Sequence, residues 1–168
     1  MRVVVYMACS ADGYVARPDG SLSWLPLGGD EDFGMGTFLR SVDALVMGRT
    51  TMETVLRFPD WPYAGIRVYV ASSSLSASPR DDVRLVYGAP ADILEVVAPA
   101  DRVWVDGPET ARRFLAAGLV DEITVTRVPV LLGDGIPFFG KLPQEIRLDL
   151  KSSTTFAGGV VQDVYVVA

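Results

Sequence analysis

Histidine is absent from this 168-residue chain, and cysteine occurs once, as Cys9. Without an imidazole, Ser-His-Asp and Cys-His catalysis and His-ligated metal sites are excluded, and no metal site is expected. A single cysteine cannot close an internal disulfide. Cys9 also lies in an apolar stretch, where a thiol is core material before it is a nucleophile. No apolar run reaches the roughly 18 residues of a membrane span, and the sequence opens on a strand-like segment instead of a signal peptide. A cytoplasmic protein is the expectation. No G-x-G-x-x-G is present, so a standard dinucleotide fold is not supported. Repeats, linkers and low-complexity tracts are missing as well. The net charge of −6 works against nucleic acid and anionic membrane surfaces. With 49% hydrophobic and 21% charged residues, the chain suits one folded domain spanning 1–168.

The most informative stretch is Asp43 to Glu53, DALVMGRTTME. Ala44 to Met47 is a fully apolar run of strand length, Gly48 breaks it, and Met52 to Leu56 reads as a helix. A buried strand that passes through glycine into a helix leaves backbone N–H groups free at the corner. Together with the helix dipole and the hydroxyls of Thr50 and Thr51, they make an anion site. Arg49 adds a planar cation suited to phosphate. A second corner of the same kind follows the strand Arg102–Val105: Asp106-Gly107-Pro108-Glu109-Thr110, with Pro108 at the first helical position and Glu109 in the first turn.

The remaining segments alternate. Arg2–Cys9, Ile66–Ala71 and Val83–Val86 read as strands, and Ala91–Ala98 as a short helix. Ser72-Ser73-Ser74 ends a strand, at the sheet edge where ligands gather in open α/β sheets. The loop through Trp24-Leu25-Pro26-Leu27-Gly28-Gly29 is long enough to serve as a flap. Asp30 can cap a helix from about Glu31 to Ser41 whose buried stripe is Met35, Phe38, Leu39 and Val42. Asp32 falls at the edge of that stripe, where desolvation would raise its pKa. Gly36, one turn on, leaves room for a flat ligand. Asp121–Val128 alternates, and Arg147–Phe156 with Val160–Val167 reads as a terminal hairpin around Ala157-Gly158-Gly159. The expected class is α/β: a three-layer, mixed, mostly parallel sheet flanked by helices, with a C-terminal antiparallel hairpin. The valines of that hairpin suggest an apolar face and a homodimer.

Taken in order, Ser10-Ala11-Asp12-Gly13, Trp24-Leu25, Gly48-Arg49-Thr50-Thr51, Ser72-Ser73, Val105-Asp106-Gly107, Gly118 to Glu122, Pro129 to Gly135 and Phe138-Phe139 form a recognisable set. The chain resembles the dihydrofolate reductase-like family, in particular the reductase domain of the bifunctional riboflavin-biosynthesis deaminase–reductase and its stand-alone relatives. The resemblance implies NADPH as cofactor, with Arg49, Ser72 and Ser73 at the 2′-phosphate and Gly48, Thr50 and Thr51 lining the nucleotide. It further implies that Gly107, Pro108, Glu109 and Thr110 hold the pyrophosphate, and that Ala8 and Val15 flank the nicotinamide. Asp32 would be the acid paired with Thr126, and Asp106 a second acid. The family carries two glycines where this chain has Gly107-Pro108, and a cis bond is expected there. The arginine that grips the folate tail falls at Ile66, with Arg67 one residue off on the other strand face, so a true folate reductase is not expected. The resemblance implies an NADPH-dependent reductase of a small pterin- or pyrimidine-like heterocycle or a carbonyl compound. The alternative is a non-catalytic nucleotide- or flavin-binding module of the same fold.

Overall fold

A computed structural model of the chain describes residues 1–26 and 31–168. Strand β1 (Arg2–Ser10) runs through the middle of an eight-stranded sheet. Its continuous run of apolar side chains suits a strand covered on both faces. After β2 (Tyr14–Ala16) and α1 (Met35–Leu39) come β3 (Ala44–Gly48), α2 (Arg49–Val55), β4 (Arg67–Ala71), β5 (Val83–Val86) and α3 (Pro90–Val97). Then follow β6 (Arg102–Asp106), α4 (Pro108–Ala116), β7 (Glu122–Val128), β8 (Ile136–Pro137), β9 (Leu148–Thr155), a 3-10 turn at Ala157–Gly159 and β10 (Val161–Val167). The sheet order is β5-β4-β3-β6-β1-β7-β10-β9. Strands β5 to β7 in that order are parallel, and β10 pairs antiparallel with both β7 and β9. The short β2 and β8 form a separate antiparallel pair.

Alternation along the strands divides the core into two layers. Val3, Val5, Val46, Val103, Val105, Ile123 and Val125 meet Ile93 and Val97 of α3 and Phe114 and Leu115 of α4. Val4, Tyr6, Leu45, Met47, Val68 and Trp104 meet Phe38 of α1 and Met52 and Val55 of α2. Each fully buried side chain of this size contributes about 2 kcal/mol. The expected three-layer α/β architecture is the one observed.

Three local expectations are corrected. The helix expected over 31–41 is only Met35–Leu39. Phe33 and Gly34 have φ of 51° and 80°, left-handed values that prevent it from starting earlier. Asp30, the expected cap, and the Leu27-Gly28-Gly29 part of the expected flap lie outside the described residues. Conversely, α2 begins at Arg49, directly after the glycine. Gly107–Pro108 is not cis; among the described residues the cis bond is Ala98–Pro99. Gly107, at φ 88° and ψ 136°, makes the sharp turn itself and meets the extended ψ that a residue before proline favours.

Charges concentrate at the N-terminal ends of the parallel strands. Glu122 is 4% exposed, and its carboxylate receives Arg2 at 3.1 Å, Arg102 at 2.8 Å and Lys151 at 3.1 Å. Asp43 accepts the N–H groups of Asp101 and Arg102, and Asp121 accepts that of Val3. These bonds tie β1, β3, β6, β7 and β9 together at the end of the sheet opposite the two glycine corners. Replacing Glu122 by alanine leaves three cations crowded without their acceptor. We expect Glu122→Ala to lose about 2 kcal/mol in a urea titration, below the full cost of a broken buried pair because the cations remain partly solvated. A change under 0.5 kcal/mol would refute the role of this cluster.

Candidate active site

Strands β3 and β6 are neighbours, but their chains leave in opposite directions. After β3 the chain passes through α2 to β4 on one side. After β6 it passes through α4 to β7, on the far side of β1. The C-terminal ends of β3 and β6 therefore flank a topological switch point, where open α/β sheets form their ligand crevice. Both glycine corners stand there, and they interlock. A Cβ on Gly48 would lie 2.9 Å from the Thr110 hydroxyl, and one on Gly107 would overlap the Thr51 hydroxyl. Each glycine caps its helix, and each threonine is the third residue of the other helix. The hydroxyls of Thr51 and Thr110 are thus turned between the two corners, and Thr50 is left exposed.

Neither α2 nor α4 has a side-chain N-cap bond. The other two helices do engage a carboxylate at their start: Asp32 accepts the N–H of Gly34 and Gly36 at α1, and Asp92 accepts that of Ala89 at α3. The uncapped pair therefore directs unpaired donors and two positive dipole ends at one place. Pro108 removes one donor there, at the first helical position where the loss matters least for the helix.

Beside this corner Arg49 is exposed and, among the described residues, is held by Glu53 at 3.0 Å. Gly48 is paired in register with Ala71, so Arg49 and Ser72 leave adjacent strand ends. The Ser72 hydroxyl accepts the N–H groups of Ser74 and Leu75 and shapes the turn. Ser72, Ser73 and Ser74 with Tyr87, Gly88 and Arg113 line a cavity of about 320 Å³. Arg113, not singled out in the sequence, donates to the Gly88 carbonyl at its rim.

On the β1 side of the crevice, Ala8 is paired in register with Thr126, and Thr126 with Gln162 of β10. Thr126 does not pair with Asp32. Its hydroxyl receives Gln162 Nε2 at 2.8 Å. The same nitrogen approaches the Tyr6 hydroxyl at 2.8 Å and the Phe33 carbonyl at 2.9 Å. Tyr6, stacked on Phe38 at 4.2 Å, donates to that carbonyl as well. The tyrosine and the glutamine occupy the ground between acid and threonine. Val15 packs against the α3–α4 layer.

The two acids have contrasting environments. Asp32 is exposed, and the N–H groups of Gly34 and Gly36 hold its carboxyl below the usual carboxylate range. This reverses the expected rise. The Asp32 carboxylate also fills the space Gly36 leaves open: a Cβ there would lie 2.8 Å from it. Asp106 ends β6 against the buried Tyr63, and burial lifts its carboxyl to about 6, with the Gly107 N–H opposing the rise. Tyr63 is pushed up in turn, by its own burial and then by the Asp106 charge.

Comparisons with known proteins bear on the family and the fold. A family model described as the RibD C-terminal domain matches residues 1–162. The chain is 35% identical to the uncharacterized protein YwjB of Bacillus subtilis, over 99% of this chain and 98% of that one. A Shewanella sp. PV-4 protein provisionally described as a riboflavin biosynthesis protein superposes with a TM-score of 0.93 at 36% identity, covering 100% and 99% of the two chains. The dihydrofolate reductase of Enterococcus faecalis, solved with NADP(H), shares the fold, with a TM-score of 0.71 at 14% identity over 99% of this chain and 96% of that one.

Two outcomes follow from the site as built. Gly48→Ala should destabilise the fold, and Thr110→Ala in the same chain should recover part of that loss, with a coupling of about 1 kcal/mol in a double-mutant cycle. Additive effects would mean that the corners do not interlock. The raised pKa of Asp106 means that its stabilising contribution is complete below the ordinary carboxylate pKa and is lost as pH rises through about 6. Asp106→Asn stays neutral and should be the more stable protein at pH 7, by about 3 kcal/mol, with the gain gone below pH 4. Equal stability at both pH values would show that the carboxyl is not desolvated.

Proposed function

The chain belongs to the RibD C-terminal domain family, and from that premise we propose that it is an NADPH-dependent reductase of a small heterocyclic substrate, pterin- or pyrimidine-like. The family is of the reductase type. The observation that carries the cofactor assignment is the pair of uncapped helix starts interlocked at the switch point, beside an exposed arginine and a serine-lined cavity. This donor set suits a dinucleotide with an extra phosphate.

In this reading Arg49 exchanges Glu53 for the 2′-phosphate, with Ser72 and Ser73 at the same edge. The N–H groups of α4 beyond Pro108 hold the pyrophosphate, and Ala8 leaves a small side chain on the β1 side of the crevice. The cofactor supplies a hydride when bound. The chain supplies the proton, and the two acids divide the labour. Asp32, its carboxyl held low by two backbone N–H groups, is ionised at neutral pH and serves as a hydrogen-bond acceptor. Asp106, at about 6, can keep a proton near the working pH and release it. Arg67 donates to the carbonyls of Val97 and Pro99 and stays outside the crevice, which supports a substrate without a folate tail. The homodimer belongs to the same proposal, although β10 lies inside the sheet with its valines largely covered.

The test is a fluorescence titration with NADPH and NADH, with Arg49→Ala beside the natural chain, followed by turnover against pterins and pyrimidines. Micromolar NADPH binding, weaker NADH binding and a loss of about tenfold in the variant are expected, the size of one charge-assisted contact. Turnover should fall as pH rises through about 6, and Asp106→Asn should flatten that profile. Saturable NADPH binding with no turnover of any pterin or pyrimidine would favour the non-catalytic module, to which the donor missing at Pro108 lends weight. Absence of binding would overturn the proposal.

A further inference from the structure

We infer that Gln162 reads the substrate's ring edge: its amide oxygen accepts a hydrogen bond from a ring N–H, so the cleft selects a lactam heterocycle over one whose ring nitrogens are alkylated. The inference rests on the reductase reading only for the place where the substrate sits. The hydrogen-bond inventory fixes which end of the amide is left open. Three oxygens lie within 2.9 Å of Gln162 Nε2, from Tyr6, Phe33 and Thr126. The Phe33 carbonyl can only accept, so the group facing it is the amide nitrogen. The carbonyl also takes the one proton of Tyr6, at 2.8 Å, which leaves the Tyr6 oxygen as an acceptor for Gln162. Every donor of the amide is therefore directed into the protein.

The Oε1 atom is the remaining group, and among the described residues no donor reaches it. It stands beside Gly34, where even an added Cβ would stay 3.9 Å away. Asp32 lies two residues before that glycine. Two acceptors thus stand beside Gly34, the Asp32 carboxylate and a neutral amide oxygen whose nitrogen end makes three close contacts. Because Gln162 is already ordered, binding through Oε1 costs little side-chain entropy. A site with fixed acceptors of this kind discriminates against analogues that lack the N–H, since the acceptor is then left unpaired.

The experiment uses the full chain without cofactor and two fluorescent probes that differ only at the ring nitrogens, lumazine and 1,3-dimethyllumazine. The natural chain should bind lumazine at least about tenfold more tightly, the scale of one hydrogen bond. Gln162→Leu should weaken lumazine and bring the two probes within about twofold, while 1,3-dimethyllumazine binding stays put. If Gln162 is only a strut, the substitution will weaken both probes by the same factor, and the inference is overturned. Saturable binding of neither probe overturns it too. Should Gln162→Leu fail to fold, the natural chain labelled with ¹⁵N-glutamine gives an independent readout, since it holds only Gln144 and Gln162. The Gln162 side-chain resonance should move with lumazine and stay fixed with 1,3-dimethyllumazine; no movement at saturating lumazine overturns the inference. Failure of the reductase reading registers separately, as loss of NADPH binding.

Discussion

The contact on which the site depends is the reciprocal seating of Gly48 against Thr110 and Gly107 against Thr51. Two strand-to-helix corners from opposite layers of the molecule approach so closely that neither glycine can carry a side chain. The threonines that fill those spaces leave the first-turn N–H groups of both helices side by side. A helix start normally finds an acceptor in its own chain, as α1 and α3 do with Asp32 and Asp92. Leaving two starts without one at a single place costs stability, since each unpaired donor is an opportunity forgone. That cost makes sense if an anion supplies the acceptor.

The sheet separates its electrostatic tasks by end. At the N-terminal ends of the strands, carboxylates are saturated: Glu122 by three cations, Asp43 and Asp121 by backbone N–H groups. At the C-terminal ends the groups are more open: Arg49 holds one exposed carboxylate, Asp106 is desolvated, and Asp32, held by two backbone N–H groups, faces solvent. The first set fixes the strands in register, and the second can then tolerate strain, including the left-handed backbone of Phe33. Phe33 is kept in that conformation by the Tyr6 and Gln162 bonds to its carbonyl and by edge contact with Phe156.

The fold was legible because its signals are local. The apolar strands, the two Gly-to-helix corners and the terminal hairpin each show in a window of ten residues, and their order implies the sheet. The errors arose at backbone conformations that residue type does not reveal, and the omission where a distant strand sets the register. Asp32 looked like a carboxylate at an apolar edge, but the left-handed Phe33 and Gly34 turn the backbone so that the N–H groups of Gly34 and Gly36 meet it. Gly107–Pro108 looked like a cis site by resemblance, yet the glycine's own positive φ makes the turn. Gln162 was passed over because it stands among valines in the last strand, and only its register with Thr126 gives it a purpose.

That register has a consequence for how the cleft is completed. Tyr6 and Gln162 are 156 positions apart, and their bond exists because β10 enters the sheet antiparallel beside β7, two strands from β1. The parallel strands already require β6 to insert between β1 and β3. The wall that orders Phe33 and presents the Gln162 oxygen cannot form until the final strand has paired. In the proposed reading, the cofactor corner is built from the middle of the chain and the substrate side from its two ends. The two halves of the crevice therefore answer to different parts of the sequence. A relative that keeps the Gly48 and Gly107 corners and changes position 162 would retain the nucleotide site while taking a different ring.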